Sequence, residues 1–196
     1  MDWLNWKNLI ALILGGAVAG AIIAVYNQYQ NSKREEIGLK LYEGQKALYE
    51  NKTAEVEKVV KEVPPPSRAY LELLLGDQYY KKLQWDKALT QFSSARNDIK
   101  ETDRGLGDLT LEKEAYIHYL KGDYRKALDL LKEIDETAPN FCSAELLKAQ
   151  ILVKLHDTET AKGILERVLD SCRESNIQLT AKWLLTKMEL KKEQVK

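Results

Sequence analysis

Residues 69–95 read A-Y-L-E-L-L-L-G-D-Q-Y-Y-K-K-L-Q-W-D-K-A-L-T-Q-F-S-S-A. Small and aromatic residues recur here at helical offsets: Leu75, Gly76 and Tyr79, then Trp85, Ala88, Phe92 and Ala95. The spacing predicts two helices that turn back on each other. Gly76 and Ala88 are small where two antiparallel backbones must approach closely. Tyr79, Trp85 and Phe92 are large enough to fill the space around that contact.

The same arrangement returns twice. Ala127 stands where Ala88 stands, with Leu111, Ala115, Tyr124, Leu131, Ile134 and Pro139 around it. Ala161 follows Ala127 by about 34 residues, with Ala149, Leu152, Leu165 and Val168 in register. The step from Ala88 to Ala127 is about 39 residues, so a loop around Arg104-Gly105-Leu106-Gly107 is expected to absorb the excess. Pro139 is expected to end the second helix of its unit. Small residues kept at both crossing positions across three units make the chain resemble the tetratricopeptide repeat family, helix–turn–helix units that stack into a solenoid.

The wider composition agrees with an all-α chain. It has 196 residues, formal net charge +0 and 31% charged residues, with only 10 Gly and 4 Pro. A neutral chain without a basic stripe argues against a nucleic-acid partner. The expected organisation has four parts: a lead and anchor over 1–30, a degenerate helical hairpin with a proline break over 31–66, three repeats with a capping helix over 67–190, and a polar tail over 191–196.

From Leu9 to Val25 every residue is apolar or glycine, a run of about 17 residues at the short end of a membrane span. Trp3 and Trp6 before it and Tyr26 and Tyr29 after it suit two membrane interfaces. An N-terminal transmembrane helix embedded in the lipid bilayer is therefore expected, with a cleavable signal peptide as the rival reading. Gly16 and Gly20 form a small-xxx-small pair, either a face for helix contact in the membrane or the ordinary glycine content of such helices. Lys33, Arg34 and Lys40 after the run favour a cytoplasmic repeat domain by charge. Beyond the run, Ser32–Val63 reads as a hairpin, and Pro64-Pro65-Pro66 ends it. Asn176–Leu190, with Ile177, Leu179, Trp183, Leu184 and Met188 along one side, is expected to cap the last repeat.

No catalytic constellation stands out. His118 and His156 occur singly, read as helix-surface or turn residues without metal-ligand spacing around them. No glycine-rich phosphate loop follows a strand, and no cofactor or metal is expected. Cys142 and Cys172, the 2 cysteines, sit at the two ends of the last hairpin, about 30 residues apart. They could bridge if their Cα atoms lie within about 7 Å, or remain two buried thiols. A bridge would point to an oxidising compartment.

The repeat resemblance implies a binding surface. Family members line their concave side with the first helix of each unit, in a right-handed superhelix. The matching positions here are Tyr70, Leu73, Asp77 and Tyr80, then Leu109, Glu112, Tyr116 and Tyr119, then Leu146, Gln150 and Val153. Tyrosines and aliphatics together would make an amphipathic groove for a polypeptide segment, unless some of the rings only pack between repeats. The lysine/asparagine clamp that some relatives use for a terminal carboxylate is missing.

The layout of short lead, one membrane helix, hairpin, repeats and cap also resembles the ancillary subunit of the bacterial Sec translocon. That resemblance implies an inner-membrane, single-pass protein with its repeats in the periplasm. It would bind the translocon and pass secreted polypeptides to periplasmic chaperones. The alternative is a cytoplasm-facing or structural scaffold that assembles another membrane complex.

Overall fold

The computed structural model describes residues 6–99 and 102–193, with side chains over 21–99 and 102–190. Among the described residues there are nine helices and no strand: α1 (Trp6–Tyr49), α2 (Thr53–Glu62), α3 (Arg68–Lys81), α4 (Trp85–Ile99), α5 (Arg104–Lys121), α6 (Tyr124–Leu131), α7 (Phe141–Lys154), α8 (Thr158–Ser171) and α9 (Ser175–Glu193). They divide into two compact units, Met1–Pro64 and Pro65–Lys196.

In the first unit α1 runs 44 residues without a break. No proline occurs before Pro64, so nothing forces the backbone out of helix. The expected first arm of the hairpin is therefore the distal part of one long helix. Asn51 closes the turn in the left-handed region at φ 58, which asparagine tolerates better than most residues. Ala47 on α1 and Val56 and Val60 on α2 are buried. Lys40 Nζ lies 3.5 Å from carboxylates on both helices, Glu36 and Glu62.

Among the described residues no helix is long and apolar enough to cross a membrane. This overturns the expected transmembrane anchor and, with it, the single-pass inner-membrane placement and the bilayer contact. The apolar run of about 17 residues sits at the lower limit for a hydrocarbon core, where roughly 20 are usual. The helix that carries the run continues directly into the charged stretch from Lys33 to Lys46. Gly16 and Gly20 lie on α1, but their surroundings fall outside the described side chains, and the membrane contact expected of them goes with the anchor. Trp3 lies outside the described residues.

The second unit is the repeat solenoid: α3 with α4, α5 with α6, α7 with α8, closed by α9. Ala69, Leu71, Leu75 and Tyr79 on α3 and Ala88, Phe92 and Ala95 on α4 are buried. A Cβ on Gly76 would lie 3.0 Å from Cζ of Phe92 and closer still to Cδ1 and Cε1. The ring thus rests directly on the α3 backbone, the close approach that the sequence predicts. Leu111, Ala115, Ala127, Leu130 and Leu131 form the next core layer with Ile151 of α7. Leu165, Val168, Ile177, Ala181 and Leu184 form the last.

Two details differ from expectation. Arg104–Gly107 is the first turn of α5 rather than a loop. Asp103 caps it, its Oδ1 accepting from Leu106 N at 3.0 Å, so the extra residues lengthen α5 to 18 where α3 and α7 have 14. Neither Gly105 nor Gly107 adopts positive φ; the glycine that does is Gly122, which ends α5 at φ 81. Second, α6 stops at Leu131 instead of running to Pro139. Asp135 accepts from both the N–H and hydroxyl of Thr137, at 2.9 and 2.6 Å, and this side-chain turn replaces the end of the helix.

Charged side chains lie inside the repeats. Glu72 is buried and accepts from Ser94 Oγ at 2.7 Å, beside the paired Arg68 and Asp98. Glu114 is buried and accepts from Arg96 Nε at 2.9 Å. Burial pushes both carboxyls above the usual range, against the pull of the Ser94 hydroxyl on Glu72 and of Arg96 on Glu114. A carboxyl raised in this way adds stability that is complete below its unfolded pKa, about 4.3, and is lost as pH rises through the folded value. Urea midpoints measured from about pH 4.5 to 8 should therefore decline less in Glu72→Gln/Glu114→Gln than in the parent chain. Parallel curves would show that the buried carboxyls do not titrate differently in the folded state.

Candidate protein-binding groove

The first helices of the repeats bring most, not all, of their predicted residues to one surface. Asp77 and Tyr80 on α3, Leu109, Glu112 and Tyr116 on α5, and Leu146 and Gln150 on α7 line a groove of about 500 Å³. Phe92 reaches its floor from α4. Helical spacing explains the set: Leu109, Glu112 and Tyr116 stand at i, i+3 and i+7, one face of α5.

The aromatic wall is a contiguous series of rings. Tyr80 and Tyr116 meet edge to face at 6.0 Å, Tyr116 and Tyr119 are 6.1 Å apart, and Tyr119 and Tyr124 are 6.0 Å apart. Burial pushes the Tyr80 hydroxyl upward, helped by its hydrogen bond with Tyr116, so it stays neutral. At the centre of the groove one ion pair and one amide-held carboxylate fix the polar side chains. Lys113 Nζ binds Asp77 at 2.7 Å and lies 5.6 Å over the Phe92 ring. Glu112 accepts from Asn140 Nδ2 at 2.7 Å, and the same nitrogen donates to the Asp108 carbonyl at 3.0 Å. What remains open is an aromatic and aliphatic wall with an orienting polar rim.

Other predicted residues fall elsewhere. Leu73 is buried in the core, and Tyr70 is exposed near the start of α3; neither lines the groove. Tyr119 and Val153 line a second cavity of about 1030 Å³, which also includes Gln150. Its further walls come from α8 and α9, including Lys162, Trp183, Lys187 and Met188, with Lys154 at the end of α7. Sequence reading assigned Trp183 to the capping contact, yet it is 56% exposed, as is Leu179 at 70%. The face of α9 that packs on the last repeat instead carries Ile177, Ala181 and Leu184, at i, i+4 and i+7. Trp183 would have stood out by its place between the Leu179 and Lys187 positions, one helical turn from each.

His118 is buried rather than on the helix surface. Its Nδ1 lies 3.3 Å from Asp123 Oδ2, and burial lowers its pKa despite that carboxylate. It lines neither cavity. His156 occupies a turn at φ 65. Cys142 near the start of α7 and Cys172 just past α8 are joined by a disulfide, their Cα atoms 5.9 Å apart. Gln178 on α9 donates to the Cys172 carbonyl at 2.7 Å, tying the cap to the same corner. Glu174 reaches within 4.8 Å of both sulfurs, but the bond between the sulfurs occupies them.

A family model described as "Tetratricopeptide repeat protein 21 ARM repeat" matches residues 22–162. The chain belongs to this tetratricopeptide repeat family. Its match takes in the distal part of α1, all of the groove, and the hairpins up to the start of α8. Solved structures agree on the fold. A tetratricopeptide repeat protein from Parabacteroides merdae ATCC 43184 is 16% identical with TM-score 0.60, covering 74% of this chain and 57% of that one. A form of the "Podosopora anserina" putative kinesin light chain repeats is 16% identical with TM-score 0.56, covering 83% and 92%. NprR, solved with its cognate peptide NprX, is 20% identical with TM-score 0.53. That likeness covers 64% of this chain, which spans only 38% of the length of NprR. Among curated proteins, none matches the chain by sequence. These likenesses support tetratricopeptide-like repeats and do not extend to the Sec translocon subunit. Repeats of this kind are protein-interaction scaffolds, typically without enzymatic activity.

Proposed function

We propose that this chain is a non-enzymatic repeat scaffold that holds a polypeptide segment of its partner in the groove across α3, α5 and α7. The observation that carries this reading is the run of Tyr80, Tyr116 and Tyr119 beside a groove of about 500 Å³. Tyrosine offers large amphipathic contact area at small entropic cost, because only two side-chain torsions must be held. The Lys113–Asp77 pair and the Glu112 carboxylate held by Asn140 give the floor fixed polar groups that can orient a segment. The similar fold of NprR, solved with a peptide, is consistent with this use of the surface. The reading names a scaffold that assembles other proteins. Translocon association and hand-over to periplasmic chaperones have no support in the comparisons and form no part of it.

The test is the full chain carrying Tyr116→Ala and Tyr119→Ala. Tyr116 is 38% exposed, while Tyr119 packs partly on the core around Ala127, so the unfolding midpoint is read alongside affinity. Affinity for a captured partner should fall by tenfold or more, roughly the loss of one binding hot spot, with helical circular dichroism unchanged. Undiminished capture would sink the groove reading. A large drop in unfolding midpoint would show that the rings serve packing instead.

A further inference from the structure

The second cavity differs from the first in charge. Lys154 at the end of α7, Lys162 on α8 and Lys187 on α9 line it, together with Glu159 and Glu189. Lys154 makes no ion pair among the described residues. Lys187 stands 4.7 Å over the Trp183 ring, and Lys162 lies 3.8 Å from the exposed Glu166. In the first groove, by contrast, the central Lys113 is already held by Asp77. The second cavity also has an apolar wall, from Val153, Leu184 and Met188. Gln150 lines both cavities, so one segment can run from the tyrosine wall onto α9.

We infer that the cavity between α7, α8 and α9 takes the acidic part of the partner's segment: a large apolar side chain against Trp183, flanked by carboxylates that meet Lys154 and Lys187. This rests on the reading of the tyrosine groove as a polypeptide site and specifies the chemistry of what enters it. The argument is one of complementarity. Carboxylates that meet Lys154 and Lys187 beside an apolar wall gain attraction, while a basic segment would set like charges against the three lysines. Lys187, 4.7 Å over the indole ring, has its charge held beside the apolar wall of the cavity.

Three labelled peptides test this, sharing one leucine and tryptophan face and carrying glutamate, glutamine or lysine at the remaining positions. Fluorescence anisotropy with the full chain should rank glutamate tightest, about tenfold over glutamine, with the gap closing as salt rises. In Lys154→Glu/Lys187→Glu the order should reverse toward the lysine peptide. Lys154→Gln/Lys187→Gln, which changes only exposed positions, should bind the glutamate and glutamine peptides alike. Equal binding of all three by the parent chain, still lost in a Tyr116→Ala chain, would overturn this inference and leave the groove reading standing, since Tyr116 lines only the first groove. Binding of none would remove both. Self-association of the parent chain that the glutamate substitutions abolish would make a second copy the occupant and equally overturn it.

Discussion

Replacing Phe92 by alanine is expected to destabilise the repeat unit by about 3–5 kcal/mol, the range for emptying a buried aromatic site. The ring is 1% exposed and lies against the α3 backbone at Gly76, with Lys113 of α5 reaching over it. It therefore joins three consecutive helices, and none of them can collapse far enough to refill its volume. Urea unfolding followed by helical circular dichroism gives the measurement, with a loss under about 1 kcal/mol contradicting the argument. Gly76→Ala supplies the internal control. In the parent chain its added methyl must displace the Phe92 ring, which outweighs the helix propensity gained, about 1 kcal/mol. In the Phe92→Ala chain the obstruction is gone, so the same change should become stabilising. A change of sign between the two backgrounds would locate the effect in this one contact.

The second large effect is expected at the disulfide. Cys142 and Cys172 close a loop with a sequence separation of 30. Restricting that loop in the unfolded chain stabilises the fold by about 3–4 kcal/mol on a chain-entropy estimate. Cys142→Ala/Cys172→Ala, or the parent chain in excess dithiol, should lose stability of that order, and the loss should fall on α7–α9. Amide exchange would show it as faster opening there than in α3 and α4. Uniform acceleration through the whole second unit would mean that the repeats unfold together and the bond serves them all. Unchanged stability would mean that the hairpin already holds the two ends together without the bond.

The periodic parts of the chain were legible from sequence because helix pairing constrains residue size. Gly76 opposite Phe92, and Ala88, Ala127 and Ala161 at successive crossings, each answer a local requirement that two backbones come close. That requirement leaves its mark at fixed offsets, so the repeats and their order could be read, and the family resemblance they carry is what pointed to Tyr80, Leu109, Tyr116 and Gln150 as groove positions. The membrane anchor was misread because an apolar run alone does not establish a span of sufficient length. The loop expected at Arg104–Gly107 was misread because glycine permits a turn without requiring one. Asp103 and the packing of α5 settled the matter in favour of helix.

By itself, then, the sequence determined an all-α chain of stacked hairpins, since 3.6-residue periodicity and small crossing residues are properties of each helix and its immediate partner. Only the tertiary structure decided which large side chains face outward. Leu73 and Tyr116 both occupy favourable groove positions in the linear pattern, yet one is buried and the other open. Trp183 passes for a capping residue until Ile177, Ala181 and Leu184 are seen to take that face of α9. The reason is that exposure depends on the rotation of each helix against two neighbours at once. That rotation is set by the summed packing of residues far apart in the chain, and no single stretch of sequence carries it.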